Sequence, residues 1–296
     1  MNDERYFLIV NLIAGQGRCK AAFPRVKAAL ERSRTEYDLH YTNEPMEAVD
    51  VAKMGIEAGF TRIIAMGGDG TVNEVANGLY GSGAALGVIP AGTGNDFGRM
   101  LGIPSDPLEA LRMLRKATVR TVDMGRVGQD RYFVNGLGIG IDAQVARDVL
   151  AMKRLRGAAA YLYAAVKEVF RFQAFAAKLE GEGVSEELEC LSLGIANGKY
   201  CGGGFMLAPR ASVDDGLIDV AAIGDFPRGE RLLRLPQARA GKHLSLPQVK
   251  YVQIPQIAVS SDAKLIAHMD GEPYELPRGA FEVRVVPDAL RVLVPA

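Results

Sequence analysis

Short apolar runs at residues 6–10, 62–66 (after an opening Arg62) and 85–89 have the length and composition of buried strands. The second strand in chain order is predicted at 37–41, which makes 62–66 the third and 85–89 the fourth. Helical patterns fall between them, over about 19–32 and from Pro45 to near Gly59. Strands alternating with helices imply crossover connections and a parallel sheet. Ligands on such sheets lie beyond the carboxyl ends of the strands, where the glycine-rich segments of this chain fall.

Beyond about Val127 the pattern changes. Helices are predicted at 142–152 and 157–172. Otherwise short strands dominate, at 188–196, 217–223, 257–259, 265–269, 281–286 and 290–294, separated by Gly, Pro and Asp turns. The expected architecture is an α/β domain over 1–126, with a parallel sheet, and a mainly antiparallel β-sandwich over 127–296. The last strand is expected to pack back near the first domain. In 225–247 helical signals alternate with Pro227, Pro236 and Gly241, and no element is assigned.

Composition narrows the function. Lys plus Arg equals Asp plus Glu at 35 each, so the positive surplus on which nucleic-acid binding rests is missing. Cys19, Cys190 and Cys201 are scattered, as are His40, His243 and His268, which fits a reducing cytoplasm and argues against a Cys/His zinc site. The acidic start of the chain does not resemble a signal peptide. The 157–172 helix contains Lys167, Glu168 and Arg171 and is too short to span a bilayer, so no transmembrane segment is expected.

After the third strand comes Gly67-Gly68-Asp69-Gly70-Thr71-Val72-Asn73-Glu74-Val75. Glycines let a backbone approach a polyanion and turn N–H groups towards its oxygens. Thr71 is placed to cap the next helix, whose N-terminus also favours phosphate. Asp69 beside phosphate makes sense with Mg²⁺ and its waters in between. A threonine-capped turn without a ligand accounts for part of the same pattern. After the fourth strand, Gly92-Thr93-Gly94-Asn95-Asp96-Phe97 forms a second such turn, and two turns on adjacent strands can clamp one nucleotide. No Walker-type G-x-x-x-x-G-K-[ST] occurs. Gly136-Leu137-Gly138-Ile139-Gly140 lacks dinucleotide-turn spacing and reads as strand-end packing.

The two turns, about twenty residues apart, resemble the diacylglycerol kinase catalytic-domain family, especially bacterial YegS-type lipid kinases. The likeness continues through Asp214-Asp215-Gly216-Leu217-Ile218-Asp219-Val220 and Met269-Asp270-Gly271-Glu272-Pro273, so it covers essentially the whole chain. GGDGT alone is shared with NAD kinases; the four motifs in this order are specific. The resemblance implies an NAD kinase/diacylglycerol kinase-like fold and ATP as cofactor, bound by Asn11, Thr42, Gly67, Gly68, Asp69, Gly70, Thr71, Val72, Asn73, Thr93 and Asn95. It implies a catalytic Mg²⁺ held through waters on Asp69, Asp96 and Asp123. A structural Mg²⁺ is implied on the Asp215 carboxylate and the backbone carbonyls of Ser212 and Leu217. Read without the resemblance, Asp215-Gly216 favours an ordinary type I′ hairpin, of which Asp-Gly is the commonest sign.

The family places its general base in the segment Asp270-Gly271-Glu272, with Glu272 favoured over Asp270; Asp69 completes the expected catalytic set. Neighbouring like charges raise one carboxyl pKa and keep a proton acceptor near neutrality. The same residues also suit a solvent-facing acidic hairpin tip. The expected reaction is phosphorylation of a lipid hydroxyl, on diacylglycerol or phosphatidylglycerol for example, in phospholipid biosynthesis. The protein would be cytoplasmic, peripheral to the inner membrane face, with no nucleic-acid partner and a homodimer left open. Alternatives are an NAD kinase-like enzyme on a soluble substrate, or a nucleotide- or lipid-binding regulator whose activity has decayed. The family's first strand usually ends in N-P-x-x-G-[KR], whereas this chain has Asn11-Leu12-Ile13-Ala14-Gly15-Gln16, without the cation. Arg18 is one candidate replacement. Lys153, Arg154 and Arg156 are another basic group, suited to ATP, anionic lipid or a solvated helix face.

Overall fold

A computed structural model describes residues 5–33, 35–152, 155, 157–277 and 279–296; Lys153, Arg154 and Arg156 lie outside the described residues. The chain divides into two compact units. One runs to Val122 and includes Asp288–Ala296, and the other is Asp123–Pro287.

The first unit contains β1 (Tyr6–Val10), α1 (Arg18–Ser33), β2 (Tyr37–Tyr41), α2 (Glu47–Glu57), β3 (Arg62–Gly67), α3 (Asp69–Leu79), β4 (Ala85–Pro90), α4 (Asp96–Met100) and α5 (Pro107–Leu114). Its strands are parallel in the order β4-β3-β1-β2. β1 and β4 are buried at every position and β3 at all but its first, as their apolar runs require. The edge strand β2 is only partly covered, and its sequence is correspondingly mixed. Leu8 and Val10 of β1, Val26 and Leu30 of α1, Ile64 and Met66 of β3, and Leu293 form the core on one face of this sheet.

β5 (Thr118–Val127) leads into the second unit, so the boundary expected at 126/127 falls within a strand. There follow β6 (Arg131–Phe133), β7 (Gly136–Gly140), α6 (Ile141–Ala151), α7 (Gly157–Arg171), β8 (Phe175–Gly181), β9 (Val184–Ala196), β10 (Ile218–Gly224), α8 (Arg228–Arg239), β11 (Val249–Ile254), β12 (Gln256–Ser260), β13 (Ala267–Met269), β14 (Glu272–Tyr274) and β15 (Phe281–Val294). Pairing is antiparallel along β14-β13-β7-β9-β8-β12-β15, with β10 between β9 and β11. β9 alternates while it pairs with β8, then is buried at seven consecutive residues where β7 and β10 flank it. The core here gathers Phe133, Leu193, Ile195, Val220, Ile257 and Val283.

Two expectations change. The strands predicted at 281–286 and 290–294 are one strand, β15, which passes through Pro287 and Asp288, the latter at φ 51°. Its start pairs with β12, and Arg291 and Val292 run parallel to Ala85 and Leu86 of β4 in the first unit. The unassigned stretch contains α8, with Pro236 inside it. Arg231 anchors this helix. It is buried, and its guanidinium donates to the Val169 and Phe172 carbonyls at 2.9 and 2.8 Å, to Phe226 O at 3.1 Å and to Asp225 Oδ1 at 2.6 Å. Those carbonyls close the end of α7, where a cation also meets the helix dipole favourably. Arg231→Met should destabilise the protein by about 2–4 kcal/mol, because buried carbonyls lose their donors. Urea denaturation followed by circular dichroism measures this.

Candidate active site

In the first unit the predicted nucleotide residues meet at the carboxyl ends of the parallel strands. Asn11 and Thr42 follow β1 and β2 directly, and the two glycine turns follow β3 and β4. The turns are tied by Ala91 N–H donating to Gly67 O at 2.8 Å. They also touch through bare backbone. A Cβ on Gly92 would stand 2.4 Å from Gly68 Cα, and a Cβ on Gly67 would meet the Thr71 hydroxyl at 2.5 Å. Gly92 is therefore required by the close approach of the two turns, and Gly67 by the Thr71 side chain of its own turn.

Each polar residue of the motifs has a defined place. Thr71 does not cap α3 as expected. Gly68 holds the N-cap position, the helix starts at Asp69, and Thr71 is buried, accepting from Asn11 Nδ2 at 3.2 Å. Asp69 reaches across to the second turn, where its Oδ1 accepts the N–H groups of Asp96 at 2.8 Å and Phe97 at 3.3 Å. Asn95, at φ 52°, clasps its own turn by accepting from Gly92 N–H at 2.9 Å and donating to Gly92 O at 3.2 Å. Val72 is a core residue whose N–H donates to Gly68 O. Asn73 receives the Asn77 amide at both its backbone and side-chain oxygens, and Thr93 is exposed. Glu74 accepts from Ala48 N–H at 3.2 Å, within the first turn of α2. The altered first-strand segment forms a 3-10 turn in which Gly15 has φ 61° and would strike Ala91 O if it bore a Cβ. Gln16 and Arg18 are exposed there.

In the second unit the structure joins Asp123 to the Asp215 turn. Buried Asp123 accepts Gly216 N–H at 2.8 Å, and Asn197 Nδ2 holds its carbonyl at 2.9 Å. Asp215 Oδ1 accepts Leu217 N–H at 3.1 Å, and Ser212 donates to Asp214 at 2.7 Å. Burial raises the Asp215 pKa, and the neighbouring carboxylates Asp123 and Asp214 add to that rise. Burial also lifts Asp219, which accepts the Tyr251 hydroxyl, to about 6. Hard oxygen donors with surplus negative charge are the chemistry a dication such as Mg²⁺ selects. Only Gly216 has positive φ at this turn, at 72°, so it is not a type I′ hairpin.

The type I′ hairpin lies elsewhere. Asp270 and Gly271 have φ 48° and 89°, and Met269 pairs with Glu272 across this two-residue loop. The two candidate bases then separate. Asp270 is buried, and its carboxylate accepts N–H groups from Val134, Asn135 and Gly136 at 2.8, 2.9 and 2.8 Å. Glu272 is exposed. Sequence reading passed over a third group. Asp142, Cys201 and His268 are far apart in the chain, yet their ligand atoms lie within 4.8 Å of one another. The one sequence sign of them is Gly138, which strand-end packing does require, because this group occupies its face.

A parallel sheet with paired glycine turns at its carboxyl edge, followed by an antiparallel sandwich, defines a kinase fold of the NAD kinase and diacylglycerol kinase type. The chain matches the family described as diacylglycerol kinase catalytic domain over residues 5–127, and the YegS C-terminal NAD kinase beta sandwich-like domain over 136–294. It is 34% identical over 283 residues to "Probable lipid kinase YegS-like" of Chromohalobacter salexigens, covering 93% of this chain and 90% of that protein. Identity to the protein of the same name from Pseudomonas putida is 35% over 266 residues, covering 88% and 85%. The crystal structure of a diacylglycerol kinase from Bacillus anthracis superposes with a TM-score of 0.78 at 26% identity, covering 98% of this chain and 97% of that one. The chain belongs to the diacylglycerol kinase catalytic-domain family, in its YegS-type branch.

Replacing Asp270 by Asn would turn an amide NH₂ towards backbone donors, at a cost of about 1–3 kcal/mol. Thermal denaturation should show Asp270→Asn clearly destabilised and Glu272→Gln unchanged.

Proposed function

We propose that the protein is an ATP- and Mg²⁺-dependent lipid kinase that transfers the γ-phosphoryl group to a hydroxyl of a lipid such as diacylglycerol or phosphatidylglycerol. The observation that carries this reading is the contact of Gly68 with Gly92, which brings two N–H-rich turns together at the amino end of α3. Backbone dipoles and a helix N-terminus favour the phosphate chain there. The lipid acceptor is supported by the names of the YegS-like relatives.

In the proposed reaction the lipid hydroxyl oxygen attacks the γ-phosphorus, the bond to the ADP oxygen breaks, and the hydroxyl proton passes to Glu272. Glu272 suits that task better than Asp270, whose carboxylate is committed to three backbone donors. The chemistry that Mg²⁺ would supply when bound is neutralisation of charge on the phosphoryl oxygens. Asp69 and Asp96 would hold that ion through waters, and Asp215 with the carbonyls of Ser212 and Leu217 would hold a structural one. Asp69 also keeps the second turn in place through its bonds to α4. Among the described residues no helix is long and apolar enough to cross a membrane, so lipid would be met at the membrane surface.

Purified protein with ATP, Mg²⁺ and micelles of each lipid, or with NAD, tests the reading, with products identified by mass. Phospholipid product is expected; transfer to NAD alone would overturn the lipid assignment, and no transfer at all would favour a regulator. Asp69→Asn keeps an acceptor for the α4 N–H groups while removing the charge. Its turnover should fall at least about 100-fold with an unchanged melting temperature. Glu272→Gln should lower kcat by about 10²–10⁴-fold while ATP affinity, read by calorimetry, stays the same.

A further inference from the structure

Three residues marked by no motif meet in the second unit. Cys201 Sγ lies 3.6 Å from His268 Nε2, and Asp142 Oδ2 lies 3.2 Å from the same nitrogen. Gly138 on β7 makes the room, since a Cβ there would stand 2.2 Å from the Asp142 oxygen and 2.3 Å from Nε2. Ser192 donates to the other Asp142 oxygen at 3.3 Å. On the far side of the ring, Gly271 N–H donates to Nδ1 at 3.3 Å.

The Gly271 bond decides between two chemistries. A neutral imidazole that accepts at Nδ1 carries its proton on Nε2, facing Cys201 and Asp142. A metal ion on Nε2 would need that proton gone and Nδ1 protonated against another donor. Burial opposes a charge on His268, but Cys201 and Asp142 outweigh it and raise its pKa well above the usual value. Nε2 carries a proton for the sulfur in both charge states, although the imidazolium also carries one on Nδ1 and so gives up the Gly271 bond. Cys201 is half-buried, whereas Cys19 and Cys190 are buried and burial pushes each thiol up to about 11. Its backbone is held by paired hydrogen bonds to Phe205 at 2.8 and 3.0 Å, across Gly202, Gly203 and Gly204, all at positive φ.

We propose that Cys201 is a modification site, its thiolate positioned by His268 to react with small oxidants of the peroxide class to give a sulfenic acid. The thiol proton leaves to solvent and the sulfur attacks one peroxide oxygen. The S–O bond forms as the O–O bond breaks, sulfur loses two electrons to the peroxide, and the departing hydroxide takes up a proton to become water. The product competes for the Nε2 proton of a ring whose other nitrogen holds the hairpin that bears Glu272.

The full-length protein is treated with hydrogen peroxide near neutral pH, trapped with dimedone and mapped by mass spectrometry. One adduct is expected, at Cys201, with Cys19 and Cys190 unmodified. Cys201→Ser should give none, and His268→Gln should slow trapping at least about tenfold. Should that variant fail to fold, wild-type Cys201 is compared with N-acetylcysteine and should react faster. Equal rates in the informative comparison, or one equivalent of bound zinc that Cys201→Ser loses, would overturn the proposal.

Discussion

A backbone N–H that folds away from water without an acceptor costs about 1–3 kcal/mol, and the conspicuous turns of this chain expose rows of such groups. The same device answers that cost three times. Asp69 accepts two N–H groups from the turn after β4, Asp123 accepts Gly216, and Asp270 accepts three consecutive donors from 134–136. Each of these carboxylates lies in, or bonds to, a segment that the family resemblance singled out. The motifs are scaffolding first, and the chemistry rests on turns that these bonds hold still.

The glycines follow the same logic. Gly68 and Gly92 meet backbone to backbone, so Gly92 excludes a side chain whether or not a phosphate is present, and a Cβ on Gly68 would stand a tight 3.3 Å from Gly92 Cα. A surface of converging N–H groups free of Cβ atoms is what a polyphosphate needs. The constraint that packs the two turns therefore also prepares the proposed nucleotide site. In the second unit the bracing of Asp270 assigns the two DGE carboxylates different work, one buried and structural, the other exposed.

Much of the fold was legible because burial writes itself into sequence. β1, β3 and β4 are covered on both faces and read as apolar runs. β8 and β11 were passed over because exposed polar residues interrupt them, Lys178 and Glu180 in the first and Lys250 and Gln253 in the second. Pro236 and Pro287 were read as breaks, yet one sits inside α8 and the other inside β15. Proline forbids only its own N–H bond and crowds its neighbour, and tertiary contacts such as those of Arg231 override that local cost.

By itself the sequence determined the class of the protein. Strand–helix spacing, two glycine turns about twenty residues apart and the two downstream acidic turns are local patterns, and local patterns survive in one dimension. Only the tertiary structure decided which carboxylate braces and which is exposed, because Asp270 meets donors more than 130 residues away in the chain. It likewise decided that Thr71 packs instead of capping, and that Cys201 stands beside His268. Those outcomes depend on distances across a sheet, where strands remote in sequence lie about 5 Å apart, and no spacing along the chain records them.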